Sequence, residues 1–307
     1  MTFDVSLSSP YYRFGGVDAI AAAAELADRA GYYGVCMGEH IVTPGDPPPY
    51  SAGPVFYDFF VLSSYLAART QRLRFIAAVS IVPLRHPVLA AKLWATLDQV
   101  SKGRAIFGFG LGITEIDQVA VNVPFSFAER GRVADEYVKA MKVLWTEPLP
   151  KFSGQYVSFD DIEYEPKCYQ KPHVPIWVTG SGGPASMRRA ALLADGWITN
   201  KHAPEGLPDR IAQMKEAMVA NGRDPSNLVV GIGLGVGPEE GGPAVKHMFQ
   251  KYFPDEPADT PAKAVDLIGS YQERGVNHIS LRFAWNEPAE FMDKMEWFAA
   301  EVMPSFA

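Results

Sequence analysis

The sequence predicts an α/β protein, a parallel (β/α)8 barrel of the TIM type with an insertion after the fourth βα unit, formed by a single domain over residues 1–307. Short apolar, β-branched runs alternate with longer amphipathic or Ala-rich runs about eight times, and strands joined by helical crossovers demand a parallel sheet. No repeat period, low-complexity block or interdomain linker breaks the alternation, and one barrel of this type accounts for a chain of 307 residues. An open, doubly wound sheet is the alternative.

The elements follow in order. "FDVSL" (3–7) reads as the first strand and 17–31 as its helix, with Gly31 placed for a left-handed C-terminal cap. "GVCMG" (34–38) is the second strand, and the Pro-dense 43–54 that follows cannot be helical and is read as a loop, either a lid or a rigid surface segment. A helix from Asp58, the strand 73–82, and the helix "PVLAAKLWATLDQVS" come next. The fourth unit is "RAIFGFG" (104–110) with a helix that starts only near Ala128. An irregular insertion at 147–172 precedes "PIWVT" with the helix 184–194, then "GWITN" with the helix 204–221. "LVVGIGLG" (228–235), a helix near 260–274, "HISLRF" (278–283) and a closing helix near 288–301 complete eight pairs.

Composition narrows the function. A net charge of −7 gives no basic footprint for nucleic acid. The two cysteines, Cys36 and Cys168, fit a reducing compartment, and no apolar run approaches a membrane span, so a cytoplasmic protein is expected. The six histidines form no His-x-His or His-Glu-x-x-His pair, so no metal site is expected. No Gly-x-Ser-x-Gly elbow is present, because Thr179 stands two residues before Ser181.

In a barrel, chemistry belongs at the C-terminal ends of the strands. There stand Glu39 and His40 after strand two, and a rim histidine suits proton transfer as well as it suits a structural role. Gly108-x-Gly110-x-Gly112 ends strand four and would let a ligand approach the backbone. It is not a dinucleotide fingerprint, because no helix opens on it. Thr179-Gly180-Ser181-Gly182-Gly183 joins a strand to a helix N-terminus, the arrangement that holds a phosphate, although a plain tight turn has the same composition. In strand eight, His278, Ser280 and Arg282 alternate with apolar residues, so Arg282 reads either as an anion ligand or as half of a salt bridge in the barrel core.

"GYYGVCMGEHIVTP", "RLRFIAAVSIVPLRHPVLAAKLWATLDQVSKGRAIFGFGLG", "VPFSFAERGRVADEY", "KVLWTEP" and "PIWVTGSGGPASMRRAALLADGW" together resemble the bacterial luciferase-like superfamily of barrel oxidoreductases, in particular the branch that uses the deazaflavin coenzyme F420. The resemblance implies hydride transfer between F420 and a small organic substrate, with His40 as proton donor or acceptor beside the reactive carbon. It implies a non-prolyl cis peptide at Ala78–Val79 behind the ring, Gly110, Leu111 and Gly112 lining the ring, and Thr179 to Gly183 holding the phosphate. Trp197 lies close by in the family pattern or serves packing. FMN with oxygen, in a monooxygenase, is the alternative cofactor reading, and a catalytically idle cofactor-binding barrel is the alternative of another class. A departure stands at Ile113, where the sugar-phosphate dehydrogenases of the branch carry glutamate. The sugar-phosphate reaction is therefore not expected, and apolar Ile113 beside the aromatic-rich 47–60 suggests a more hydrophobic substrate. Glu115 and Asp117 lie nearby with no role assigned. A homodimer is expected, with the apolar C-terminal helix as one face able to pair with itself.

Overall fold

The computed structural model describes residues 1–7, 15–43, 55–180, 183–199, 206–236, 258–285 and 288–307. Within them run β1 (Thr2–Ser6), α1 (Gly16–Ala30), β2 (Gly34–Met37), α2 (Phe59–Arg69), β3 (Arg74–Ala77), β4 (Ser80–Ile81), α3 (Pro87–Val100) and β5 (Ala105–Gly110). They continue with α4 (Ile116–Ala120), α5 (Arg130–Thr146), β6 (Phe152–Ser153), β7 (Ser158–Phe159), β8 (Ile176–Thr179), α6 (Pro184–Leu193) and β9 (Gly196–Thr199). The last are α7 (Leu207–Ala220), β10 (Val229–Val236), α8 (Pro261–Glu273), β11 (His278–Phe283) and α9 (Pro288–Glu301). The order β3-β2-β1-β11-β10-β9-β8-β5 is parallel throughout, and β3 pairs with β5 to close it, so the sheet is an eight-stranded barrel. The open-sheet alternative is excluded by that last pairing. The insertion carries its own antiparallel hairpin, β6 with β7, held by the Glu136 carboxylate, which accepts from the backbone N–H groups of Gln155, Tyr156 and Val157.

Local chemistry explains the element ends. Gly31 takes φ 86° at the end of α1, as its cap position requires. Asp58 caps α2, its Oδ1 accepting from the amides of Phe60 and Val61. Ser126 and Glu129 form a capping box that leads into α5. The closing helix α9 buries Phe291, Met295 and Phe298, and its main helical neighbour is α1. It is thus a packed part of the shell, and its apolar side is spent on the barrel.

The third barrel strand differs from its expected continuous form. The Ala78–Val79 peptide is cis, as the resemblance implied, and the ladder to β5 breaks there: β3 pairs Ile76 with Ile106, and β4 resumes with Ser80 opposite Phe109. The interruption swings the Ala77 carbonyl oxygen to within 1.5 Å of where a Cβ on Gly108 would stand, and puts a Val79 methyl 2.2 Å from a Cβ on Gly110. Those two glycines therefore make room for the neighbouring strand.

The resumed strand is tied down by Glu39. Its buried carboxylate accepts from the Ile81 amide at 2.7 Å and pairs with Arg85, whose other arm reaches Asp58 at 3.1 Å. Burial pushes the Glu39 carboxyl above its ordinary range, against the opposing pull of Arg85. Glu39 is thus a structural tie between β2, β4 and the start of α2.

Gly108→Ala should lower unfolding stability by about 3 kcal/mol or more, because the clash is with backbone. Gly269→Ala, in α8 with nothing within 4 Å of the new methyl, should raise it by about 0.5–1 kcal/mol. Denaturant titrations of both variants check the pair, and similar values for the two would show that the close approach has no energetic weight.

Candidate active site

His40 emerges from the end of β2 with its side chain 16% exposed. Its Nδ1 lies 3.0 Å from Oδ2 of Asp117, on the short helix α4 in the loop after β5. The other oxygen of Asp117 accepts from the backbone N–H groups of Ile41 at 2.8 Å and Val42 at 3.1 Å. Asp117 is only 2% exposed, so one buried carboxylate fixes both the imidazole and the backbone that follows it. A carboxylate accepts, so Nδ1 carries the hydrogen and Nε2 becomes the basic nitrogen of the neutral ring. Phe56 meets the ring edge-on, centroids 4.9 Å apart, and restricts its rotation.

The floor of the mouth is polar. A cavity of about 20 Å³, room for one water molecule, is lined in part by Asp4, Cys36, Ala78, Thr179, Ser280 and Arg282. Asp4 pairs with His278 Nε2 at 2.7 Å and accepts from the Ser280 hydroxyl at 2.9 Å, and His278 Nδ1 lies 2.8 Å from the Thr2 hydroxyl. The polar residues of β11 thus face the axis, as their alternation implied. The main partner of this set is Asp4, which sequence reasoning did not single out. Cys36 lies 3.4 Å from Ser280, and burial, reinforced by the Asp4 charge, pushes its thiol up, so it is inert as a nucleophile.

Across the mouth, β8 ends at Thr179 and Gly180. The Gly180 N–H continues the ladder to the Ile198 carbonyl at 3.1 Å. What its missing side chain provides is space: a Cβ there would lie 2.2 Å from Oγ of Ser186, a buried hydroxyl with no hydrogen-bond partner. Ser186 stands in the first turn of α6, whose N-cap is Gly183 and whose first residue is Pro184. Sequence reasoning missed Ser186, although a hydroxyl three residues past a Gly-rich turn is the available signal. Ser181 and Gly182 lie outside the described residues.

The remaining candidates separate. Leu111 is partly buried against the main core, and Gly112 has φ 77° with its α-carbon facing Ile81, so both shape the loop that carries Asp117. Ile113 is 75% exposed, on the loop that carries Asp117. Glu115 is exposed, and Trp197 is fully buried in the core between strands and helices, away from the axis. The Pro-rich loop, apart from Thr43, lies outside the described residues. Among the described residues no group of three metal-ligating side chains occurs and no helix is long and apolar enough to cross a membrane.

Comparison with known proteins places the chain among barrel oxidoreductases. The luciferase-like monooxygenase family model matches residues 2–281. An FMNH2-dependent dimethylsulfone monooxygenase of Pseudomonas putida is 30% identical over 67% of this chain and 55% of its own length. An F420-dependent glucose-6-phosphate dehydrogenase of Intrasporangium calvum is 28% identical over 91% of both chains. Among solved structures, an F420-dependent secondary alcohol dehydrogenase bound to an F420–acetone adduct superposes with a TM-score of 0.81 at 19% identity, covering 100% of this chain and 99% of that one. A match of the family model over nearly the whole barrel makes this chain a member of the luciferase-like monooxygenase family.

Proposed function

We propose that the protein is an F420-dependent oxidoreductase that moves a hydride between the deazaflavin and a small organic substrate, with His40 handling the accompanying proton. The observation that carries this reading is the His40–Asp117 pair at the barrel mouth, beside the interrupted third strand. The similarity to an F420 enzyme along 91% of both chains supports the deazaflavin over FMN. The donor set suits such a cofactor. The first turn of α6 has no side-chain cap and carries the unpartnered Ser186 hydroxyl, an arrangement that suits a phosphate. Ala78 and Val79 provide a backbone surface without polar side chains behind a flat ring.

When bound, the deazaflavin supplies a two-electron hydride carrier. The chain supplies the rest. Asp117 holds the His40 tautomer so that Nε2 takes a proton from a substrate hydroxyl, or returns it to a carbonyl oxygen in the reverse direction. Ser186 and the α6 N-terminus anchor the far end, which fixes the distance between the two reacting centres.

An FMN-dependent monooxygenase is the second reading, favoured by the similarity to the Pseudomonas putida enzyme. We also propose a homodimer, formed across α2 and α3 rather than α9. Val61 and Tyr65 on α2 and Leu89, Leu93 and Val100 on α3 are exposed apolar residues on adjacent helices, a patch that association would cover. Leu93→Asp should then convert a dimer to a monomer in sedimentation equilibrium; an unchanged mass would remove this face from the interface.

Titrating the purified protein with F420 and with FMN in parallel, by intrinsic fluorescence, should give micromolar or tighter binding for F420 alone. Preference for FMN, with oxygen consumed on turnover, would overturn the leading reading. His40→Ala should cut turnover by about 10²–10⁴-fold while leaving cofactor affinity within a few-fold. Asp117→Asn, which can turn an N–H toward Nδ1, should lower kcat by about 10-fold or more with little change in KM. Full activity in the first variant would remove His40 from the mechanism, and full activity in the second would reduce Asp117 to a loop anchor.

A further inference from the structure

The end of the barrel opposite His40 holds a cavity that the proposed chemistry does not use. It measures about 480 Å³, many times the ~10–15 Å³ that accommodates one water, and lies where α2 and α3 both end. Its walls are the segments that lead into β3 and β5, so it sits at the N-terminal ends of those strands. Arg72, Arg74, Lys102 and Arg104 line it, and the described lining residues include no carboxylate and no aromatic ring.

These cations lack full counter-charge. Arg72 donates to the backbone carbonyl of Asp28 at 2.8 Å and lies in the field of that residue's carboxylate. Arg74 lies over the Tyr33 ring, its guanidinium carbon 4.6 Å from the centroid, and its side chain makes no hydrogen bond to a described residue. Arg104 donates only to neutral oxygens, the carbonyls of Ala67, Leu73 and Ser101 and the Thr70 hydroxyl, at 2.7–3.1 Å. Burial lowers its pKa against the pull of Asp28. Lys102 is exposed and takes φ 56° in the turn that ends α3. Glu25, one turn before Asp28 on α1, is taken by Arg69 at 2.6 Å. The C-termini of α2 and α3 contribute about −0.5 charge each, and Asp28 contributes one carboxylate. Roughly two of the four positive charges therefore stay uncompensated, in a chain whose net charge is −7. Like charges held together in this way repel, and a bound anion removes that cost.

The lining narrows the chemistry of the anion. Arginine and lysine from two separate loops converge on one cavity, which suits the tetrahedral oxygens of a phosphate better than the single plane of a carboxylate. The volume leaves room for more than one phosphate, and a wall without aromatic rings gives a nucleotide base no stacking surface. We propose that this cavity binds an oligophosphate, two or more linked phosphate groups carrying no base, with Arg74 and Lys102 as its main ligands and Arg104 as the wall behind them. The site is separate from the barrel mouth and does not depend on the cofactor reading.

The test is isothermal titration calorimetry of the native protein, at constant ionic strength, with tripolyphosphate, orthophosphate and citrate. Tripolyphosphate should bind once per chain with a Kd on the order of 10–100 μM, and orthophosphate and citrate at least about 10-fold more weakly. Added salt should weaken the binding as it screens the charges. Arg74→Gln should weaken tripolyphosphate by about 10-fold, and so should Lys102→Asn, chosen because asparagine tolerates a left-handed backbone. Gln71→Glu puts a carboxylate into the cavity wall without removing a cation, and should weaken binding to a similar degree while the free protein melts no lower than the native one. No binding below about 1 mM, citrate matching tripolyphosphate, or an affinity that survives all three substitutions would overturn the site, the last by placing the anion elsewhere on the chain.

Discussion

The close passage of the Ala77 carbonyl against Gly108 is the constraint on which the site depends. A barrel closes only if neighbouring strands keep register, and here the third strand leaves its ladder after Ala77 and rejoins it at Ser80. The detour is possible because the facing strand has no side chain at Gly108 or Gly110. It is held because Glu39, at the end of β2, receives the Ile81 amide as the strand resumes. Arg85 then links that carboxylate to the cap of α2 through Asp58. Removing one partner of such a buried pair would leave the other's charge uncompensated, at a cost of about 3–5 kcal/mol. Adjacent Glu39 and His40 therefore divide the work: one fixes the backbone under the mouth and the other faces it.

The alternation of strands and helices is legible in the sequence because each strand is a compact apolar run and each helix is long enough to show its period. His40 is legible for the same reason, being the ionisable pair-mate of Glu39 directly after a buried strand. Asp117 is not, because α4 has five residues and no period, and its partner is 77 positions away. The glycines of β5 are visible, but their purpose is not, since the atom they avoid belongs to a strand some thirty residues earlier. The closing helix shows the limit of apolar pattern alone: its stripe is real, yet a helical wheel cannot say whether the barrel or a second chain covers it.

The interior of the barrel combines two regimes. Cys36, Ile76, Ile106, Trp177 and Ile198 form an apolar plug, while Asp4, His278 and Ser280 form a satisfied polar chain beside it. In a low-dielectric interior such a chain is stabilising only when every member has a partner. Here the hydroxyl of Thr2 supplies the last one, at the opposite end of the barrel from His40.

The single carboxylate of Asp117 also has a consequence for how this protein could be re-engineered. It grips the His40 ring and two amides of the segment after β2, yet it is carried by the loop after β5. The two loops are therefore one mechanical part drawn from two distant stretches of sequence. Replacing either with a loop that lacks the matching residue would leave a histidine without its orienting acid, or the reverse. Loop grafting onto this scaffold would have to move the two segments together.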